Sequence, residues 1–239
     1  KGLREISPKV RKFRHEQYGD RFLGERSLGR QAQGGTLKPL IFLVDFNDKE
    51  HTYTAEHFEK LFFSNDLSPA HFPNTPNHTN YNMSVREYYQ EISNGEFDFS
   101  GSISSIVNWH SVEYSHNDYT DYDHGFGQGT NGISLSAGAL VVEIAMDNKD
   151  NIDFDQFDGD GDGAVDVIIL VIEGKGGSIT DPKYFWPHMS NIPTGDLLNQ
   201  IDSDAASPDG YFLIDDVLIK KYIVVYEQSH YSSVGAYYG

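Results

Sequence analysis

Four aspartates fall within the nine residues Asp158-Gly159-Asp160-Gly161-Asp162-Gly163-Ala164-Val165-Asp166, and the next six, Val167 to Ile172, are continuously apolar. Carboxylates this close repel one another unless a cation lies between them, and the intervening glycines let the backbone coil tightly enough to aim several oxygens at one point. An all-oxygen donor set in a chain without cysteine suits calcium rather than zinc. An EF-hand loop would place a bidentate glutamate at its twelfth position, which here is Ile169, and would run on into a helix; neither condition holds. The β-branched run Val167 to Ile172 instead reads as a strand buried on both faces. Asp158, Asp160, Asp162 and Asp166 are therefore candidate ligands of a structural calcium, the alternative being an acidic solvated turn.

A second apolar run, Leu40-Ile41-Phe42-Leu43-Val44-Asp45-Phe46, closed by Asn47 and Asp48, reads as a central strand. Thr54 is placed to cap a helix over 55–63, with Phe58, Leu61 and Phe62 turned to the sheet. Ser84 is placed to cap a second over 85–92, whose Val85, Tyr88, Tyr89 and Ile92 form an apolar and aromatic stripe. Ser93-Asn94-Gly95 stops it, and Phe97 to Ile103 alternates with the period of a strand. Residues 64–82 and 110–131 read as long polar loops. Ser134 or Ser136 opens a third helix through Leu140, Val141, Ile144 and Ala145 to Asp147. Tyr211 to Ile214 and Val217 to Tyr226 read as a hairpin that turns at Asp215-Asp216. Strands mixed with helices predict an α/β fold.

Charge divides the chain. Residues 1–38 carry ten Lys/Arg against four Asp/Glu, and residues 39–239 carry eight against thirty-two. The first segment is read as a basic arm or propeptide remnant lying on the acidic domain, or as an ordered first strand or short helix. Residues 39–239 form the main domain. An acidic surface repels phosphates and argues against a nucleic-acid partner. No stretch approaches the length of apolar residues that a membrane span needs. Glu173-Gly174-Lys175-Gly176-Gly177 lacks the Gly-Lys-Ser/Thr end of a phosphate loop, and no Gly-x-Ser-x-Gly elbow is present. Absence of cysteine rules out disulfides and is compatible with an extracellular protein.

Several motifs, taken in order, carry a resemblance. Leu43-Val44-Asp45-Phe46, the Ser84-to-Gly95 helix and turn, the run from Asp153 to Asp166 with its strand, Trp186-Pro187-His188, and Tyr222 to Glu227 leading to Ser233-Val234-Gly235 resemble the immune inhibitor A type of secreted bacterial zinc metallopeptidase over residues 39–239. The resemblance implies a zincin-like domain, with a twisted mixed sheet, packed helices and bound calcium, secreted and acting on protein or peptide substrates. It also implies a helix bearing His-Glu-x-x-His, whose histidines hold zinc while the glutamate serves as general base toward metal-bound water.

None of the ten histidines begins that motif: His15-Glu16 continues Gln17-Tyr18-Gly19, and His57 continues Phe58-Glu59-Lys60-Leu61. In the family the zinc helix follows the segment that Val234 to Tyr238 resembles. The expectation is thus a catalytic domain incomplete at its C-terminus and inactive alone, with zinc belonging to the full-length protein. His188 is a candidate for a position near the substrate cleft or a metal. His110, His116, His124 and His230 read as surface or hydrogen-bonded histidines. Glu227 is a candidate to position the cleft, or else a partner in a salt bridge. The competing function is a non-catalytic, calcium-dependent extracellular binding or adhesive module.

Overall fold

A computed structural model of the chain describes residues 35–71, 83–120, 123–126, 135–176 and 182–228. Most of the basic segment, residues 1–34, lies outside these, as do His230 and residues 229–239.

The strands are β1 (Gly35–Leu37), β2 (Pro39–Phe46), β3 (Phe97–Phe99), β4 (Ile106–Val112), β5 (Val167–Lys175), β6 (Met189–Asn191), β7 (Leu213–Ile214), β8 (Val217–Leu218) and β9 (Lys221–Gln228). The helices are α1 (Ala55–Phe63), α2 (Val85–Ile92), α3 (His116–Thr120), α4 (Ala137–Asp147) and α5 (Asp196–Ile201). A five-stranded mixed sheet runs in the order β4-β2-β5-β9-β6, with the first four strands parallel and β6 antiparallel on the edge. The two apolar runs lie side by side as its centre, where every residue of β2 is buried. That pairing is why both read as continuous hydrophobic runs rather than alternating ones.

Strand alternation splits the core into two layers. Leu40, Phe42 and Val44 of β2 join Ile168, Leu170 and Ile172 of β5 beneath α4, whose Leu140, Val141 and Ile144 are fully buried. Ile41 and Leu43 join Val167, Ile169 and Val171 on the opposite face, against Phe58 and Phe63 of α1.

The helix starts show which local signals held. Ser84 builds a full capping box: its hydroxyl accepts from the Glu87 amide at 3.0 Å, and the Glu87 carboxylate accepts from the Ser84 amide at 2.7 Å. Ser136 caps α4 through the Ala139 amide. Thr54 occupies the cap position of α1, yet its side chain makes no cap bond. Ser84 also donates to the Ser64 carbonyl at 2.6 Å from a buried position. Ser84→Ala is therefore expected to cost about 1–2 kcal/mol in urea unfolding, with the unfolding slope unchanged.

Four expectations are corrected. The stripe on α2 is only partly covered: Val85 packs against the core layer of Ile41 and Phe63 and Tyr89 meets Phe97 and Phe99, while Tyr88, Tyr89 and Ile92 are exposed at the margin of the sheet. The segment 97–103 is strand only over its first three residues, and Ile103–Ser105 is a 3-10 turn. Phe97–Phe99 pairs in parallel with β1, leaving β4 to begin at Ile106. The polar stretch from 110 is not all loop, since β4 runs to Val112 and α3 follows. The expected hairpin does turn at Asp215 and Asp216, both with positive φ as a tight turn of this hand requires. Its second arm divides, however, and β9 leaves to pair in parallel with β5.

Candidate functional site

The acidic loop enters β5 from below. Asp158, Asp160 and Asp166 each bring one carboxylate oxygen within 4.8 Å of the others. Asp162 is not in this group; its carboxylate accepts from the Ala164 amide at 2.9 Å. Asp158 is buried, and its two oxygens accept from the amides of Gly161, Asp162 and Gly163 at 2.7, 3.0 and 2.9 Å. Gly161 and Gly163 take positive φ, which lets those amides converge. Asp166 accepts from the Gly159 amide and, across the chain, from the Lys38 amide at 2.7 Å. At Gly159 a side chain would meet Asp166 Oδ2 and the Thr36 carbonyl, so glycine is required there. The loop thus ties the start of β2 to the start of β5. Burial, then the other aspartates, push the carboxyls of Asp162 and Asp166 above the ordinary carboxylate range. Three converging carboxylate oxygens fit calcium, and a cation between them would offset this crowding.

The opposite end of the sheet carries a feature the sequence reading treated only in part. Asp45, Glu173 and Glu227 sit at the carboxyl ends of β2, β5 and β9, three adjacent strands, and all three are buried. Glu227 accepts from the amides of Thr52, Tyr53 and Gly174, so it pins a loop to the sheet, and among the described residues it forms no salt bridge. Asp45 bonds His51 Nδ1 at 2.9 Å through one oxygen, while its other oxygen has no hydrogen-bond partner among the described residues. Glu173 is 3% exposed, and its Oε1 lies 3.9 Å from Lys49 Nζ and 4.0 Å from His116 Nε2, too far for a hydrogen bond to either. Burial raises the Glu173 carboxyl to about 7, helped by Glu227, Asp45 and Asp48 and opposed by Lys49.

His116 corrects a reading. It is 1% exposed rather than on the surface, walled by Phe46, Tyr184 and Phe185, and burial, then Lys49, lowers it to about 4. His110 faces Asp147 at 3.2 Å, and His124 approaches the Tyr184 carbonyl. Among the described residues no histidine belongs to a cluster of three possible metal ligands. The donors present therefore do not fit a zinc centre of the His-Glu-x-x-His kind. A cleft of about 500 Å³ between β4 and α4, lined by Glu113, Glu143, Asp147 and Asp202 among others, contains none of the loop aspartates.

His188 directly precedes β6. The His188 carbonyl accepts from Val224 and the Ile192 amide donates to Lys220, so even-numbered residues of this segment face β9. Met189 and Asn191 consequently turn their amides and carbonyls away from the sheet. Pro187 and Pro193 hold the next positions of the same parity and offer no N–H. The open edge is thereby limited to two residues, and among the described residues no strand pairs with it. Beside it, the Phe126 ring lies tilted at 4.2 Å from the His188 ring, with Trp186 edge-on at 6.2 Å from Phe126.

Comparison with known proteins adds a family likeness to this geometry. A family model described as immune inhibitor A peptidase M6, catalytic domain, matches residues 32–221. The protein called immune inhibitor A from Bacillus thuringiensis subsp. alesti is 23% identical over 177 residues, covering 63% of this chain and 25% of that protein. The chain therefore spans about a quarter of the length of this relative.

Proposed function

The chain belongs to the immune inhibitor A peptidase M6 family, catalytic domain, and on that footing we propose that it forms the substrate-presenting part of a secreted zinc-dependent endopeptidase. Its mixed sheet with packed helices is the α/β architecture of a zincin-like peptidase domain. No His-Glu-x-x-His occurs in the 239 residues, so the water-activating residues are assigned to parts of the protein outside them, and the chain alone is inactive.

The observation that carries the reading is the open edge of β6. A protease must hold its substrate extended, and an extended peptide can continue a sheet at such an edge through main-chain hydrogen bonds. Met189 and Asn191 supply two amides and two carbonyls for this purpose. Asp158, Asp160 and Asp166, with Asp162 next in the loop, hold structural calcium and keep in place β2 and β5, the central strands of the sheet that ends in that edge. The calcium fits an adhesive module equally well, whereas an edge limited by two prolines to a dipeptide-length ladder favours a peptide.

The test is hydrolysis. A longer polypeptide of the same protein that includes a His-Glu-x-x-His helix should cleave casein and lose that activity to a zinc chelator, while the 239-residue chain should not cleave it. Absence of cleavage by the longer polypeptide with zinc and calcium supplied would sink the enzymatic reading in favour of the binding module.

A further inference from the structure

Three large apolar side chains are exposed next to the β6 edge. Trp186 is 43% exposed, Phe126 44% and Met189 68%. Trp186 and Phe126 are not loosely placed. The Trp186 amide donates to the His124 carbonyl, and the His124 amide donates to the Pro182 carbonyl, which locks 123–126 against 182–188. Gly125 has positive φ and packs so close to Phe185 that a side chain there would collide with the ring. His188 is held by its Nδ1 contact with the Trp186 carbonyl at 2.6 Å and by Tyr222, whose hydroxyl lies 3.3 Å from Nε2. Aromatic rings that are both rigid and exposed lose little entropy when another apolar group covers them.

Parity fixes what could cover them. On neighbouring strands, paired residues project to the same face. A peptide strand bonded to the edge through Met189 and Asn191 would place one side chain beside His188, whose ring Phe126 covers at 4.2 Å. Acidic side chains suit this corner poorly, since they would lose hydration against aromatic rings in a chain whose residues 39–239 are strongly acidic.

We propose that Phe126, Trp186 and His188 form a specificity pocket that selects a large apolar or aromatic side chain on an extended peptide bound to the β6 edge. This rests on the reading of that edge as the substrate-binding strand. The pocket supplies the preference, and the backbone of Met189 and Asn191 supplies the register.

Labelled, end-blocked oligoalanine peptides with one varied residue test both parts by fluorescence anisotropy with the 239-residue chain. A peptide carrying Phe or Leu should bind at least about tenfold more tightly than one carrying Gly or Asp. Phe126→Ala and Trp186→Ala, both at exposed side chains, should remove most of that difference while leaving the weak binding of the Gly peptide unchanged. Met189→Pro removes an outward amide that bonds nothing in the sheet, and should weaken every peptide alike. If Met189→Pro weakens binding but the Phe preference survives both alanine variants, the pocket is overturned and the edge stands. If Met189→Pro changes nothing, or no peptide binds, the edge reading falls and the pocket with it. Concentration-dependent dimerisation of the chain that Met189→Pro abolishes would assign the edge to a second copy and overturn the proposal.

Discussion

Asp158→Ala is expected to lower stability by about 3–5 kcal/mol without calcium and by more with it, the largest effect of any loop substitution. The reason is geometric. Asp158 is buried and accepts from three backbone amides, so its removal leaves the amides of Gly161, Asp162 and Gly163 without their acceptor as well as deleting a ligand. Asp160 separates the two effects. It is exposed and accepts within the loop only from Asp162, so Asp160→Ala should leave the calcium-free protein almost unchanged. Calcium at about a hundred times its Kd should stabilise the wild-type protein by about 2.7 kcal/mol, and Asp160→Ala should lose most of that gain. Thermal melts of the three proteins with calcium and with chelator read this directly. An equal calcium response in wild type and Asp160→Ala would remove the loop as the ion's site.

Glu173→Gln is expected to stabilise the protein by up to about 3 kcal/mol at pH 8.5 and by nothing measurable near pH 4.5. The Glu173 carboxyl stands at about 7 in the fold against an ordinary 4.5. A raised pKa means that the folded state holds the proton more tightly than the unfolded chain. The contribution to stability is thus full below about 4.5 and is lost as pH rises through 7. Glutamine mimics the protonated form at every pH. The groups facing Glu173 do not reverse this: Lys49 opposes the shift from 3.9 Å, but Glu227, Asp45 and Asp48 reinforce it. His116 works in the other direction, since its lowered pKa removes stability as pH falls from 6.5 toward 4. That term is shared by wild type and variant, so the difference between their chemical-denaturation curves isolates Glu173. A difference that is flat from pH 4.5 to 8.5 would show that the carboxylate row does not load Glu173.

What could be read in the sequence followed from locality. Continuous apolar runs marked β2 and β5, and Ser84 and Ser136 marked helix starts, because each signal lies within a few residues of the element it specifies. β1 and β6 are three residues long and exist through partners far along the chain, so no local pattern announces them, whereas β3 shows in the alternation from Phe97 but not in where it stops. The α2 stripe had the right period but only part of a surface to face, through Val85 and Tyr89, because its position at the sheet margin is a tertiary fact. In the acidic loop, spacing alone could not show that Asp162 turns to Ala164 while Asp166 reaches Lys38. The carboxylate row did leave a trace: Leu43-Val44-Asp45, Val171-Ile172-Glu173 and Val225-Tyr226-Glu227 each end an apolar run on an acid. Only strand adjacency reveals that the three belong together.

Kinetics with the β6 edge altered tests most directly whether this domain presents peptides for cleavage. In a longer polypeptide that includes the His-Glu-x-x-His helix, Met189→Pro should reduce kcat/KM for casein-derived peptides by about ten- to a hundredfold. The loss should appear mainly in KM, with the melting temperature and calcium response unchanged. An unaltered kcat/KM in a folded Met189→Pro protein would contradict the assignment of the β6 edge as the strand that holds the substrate.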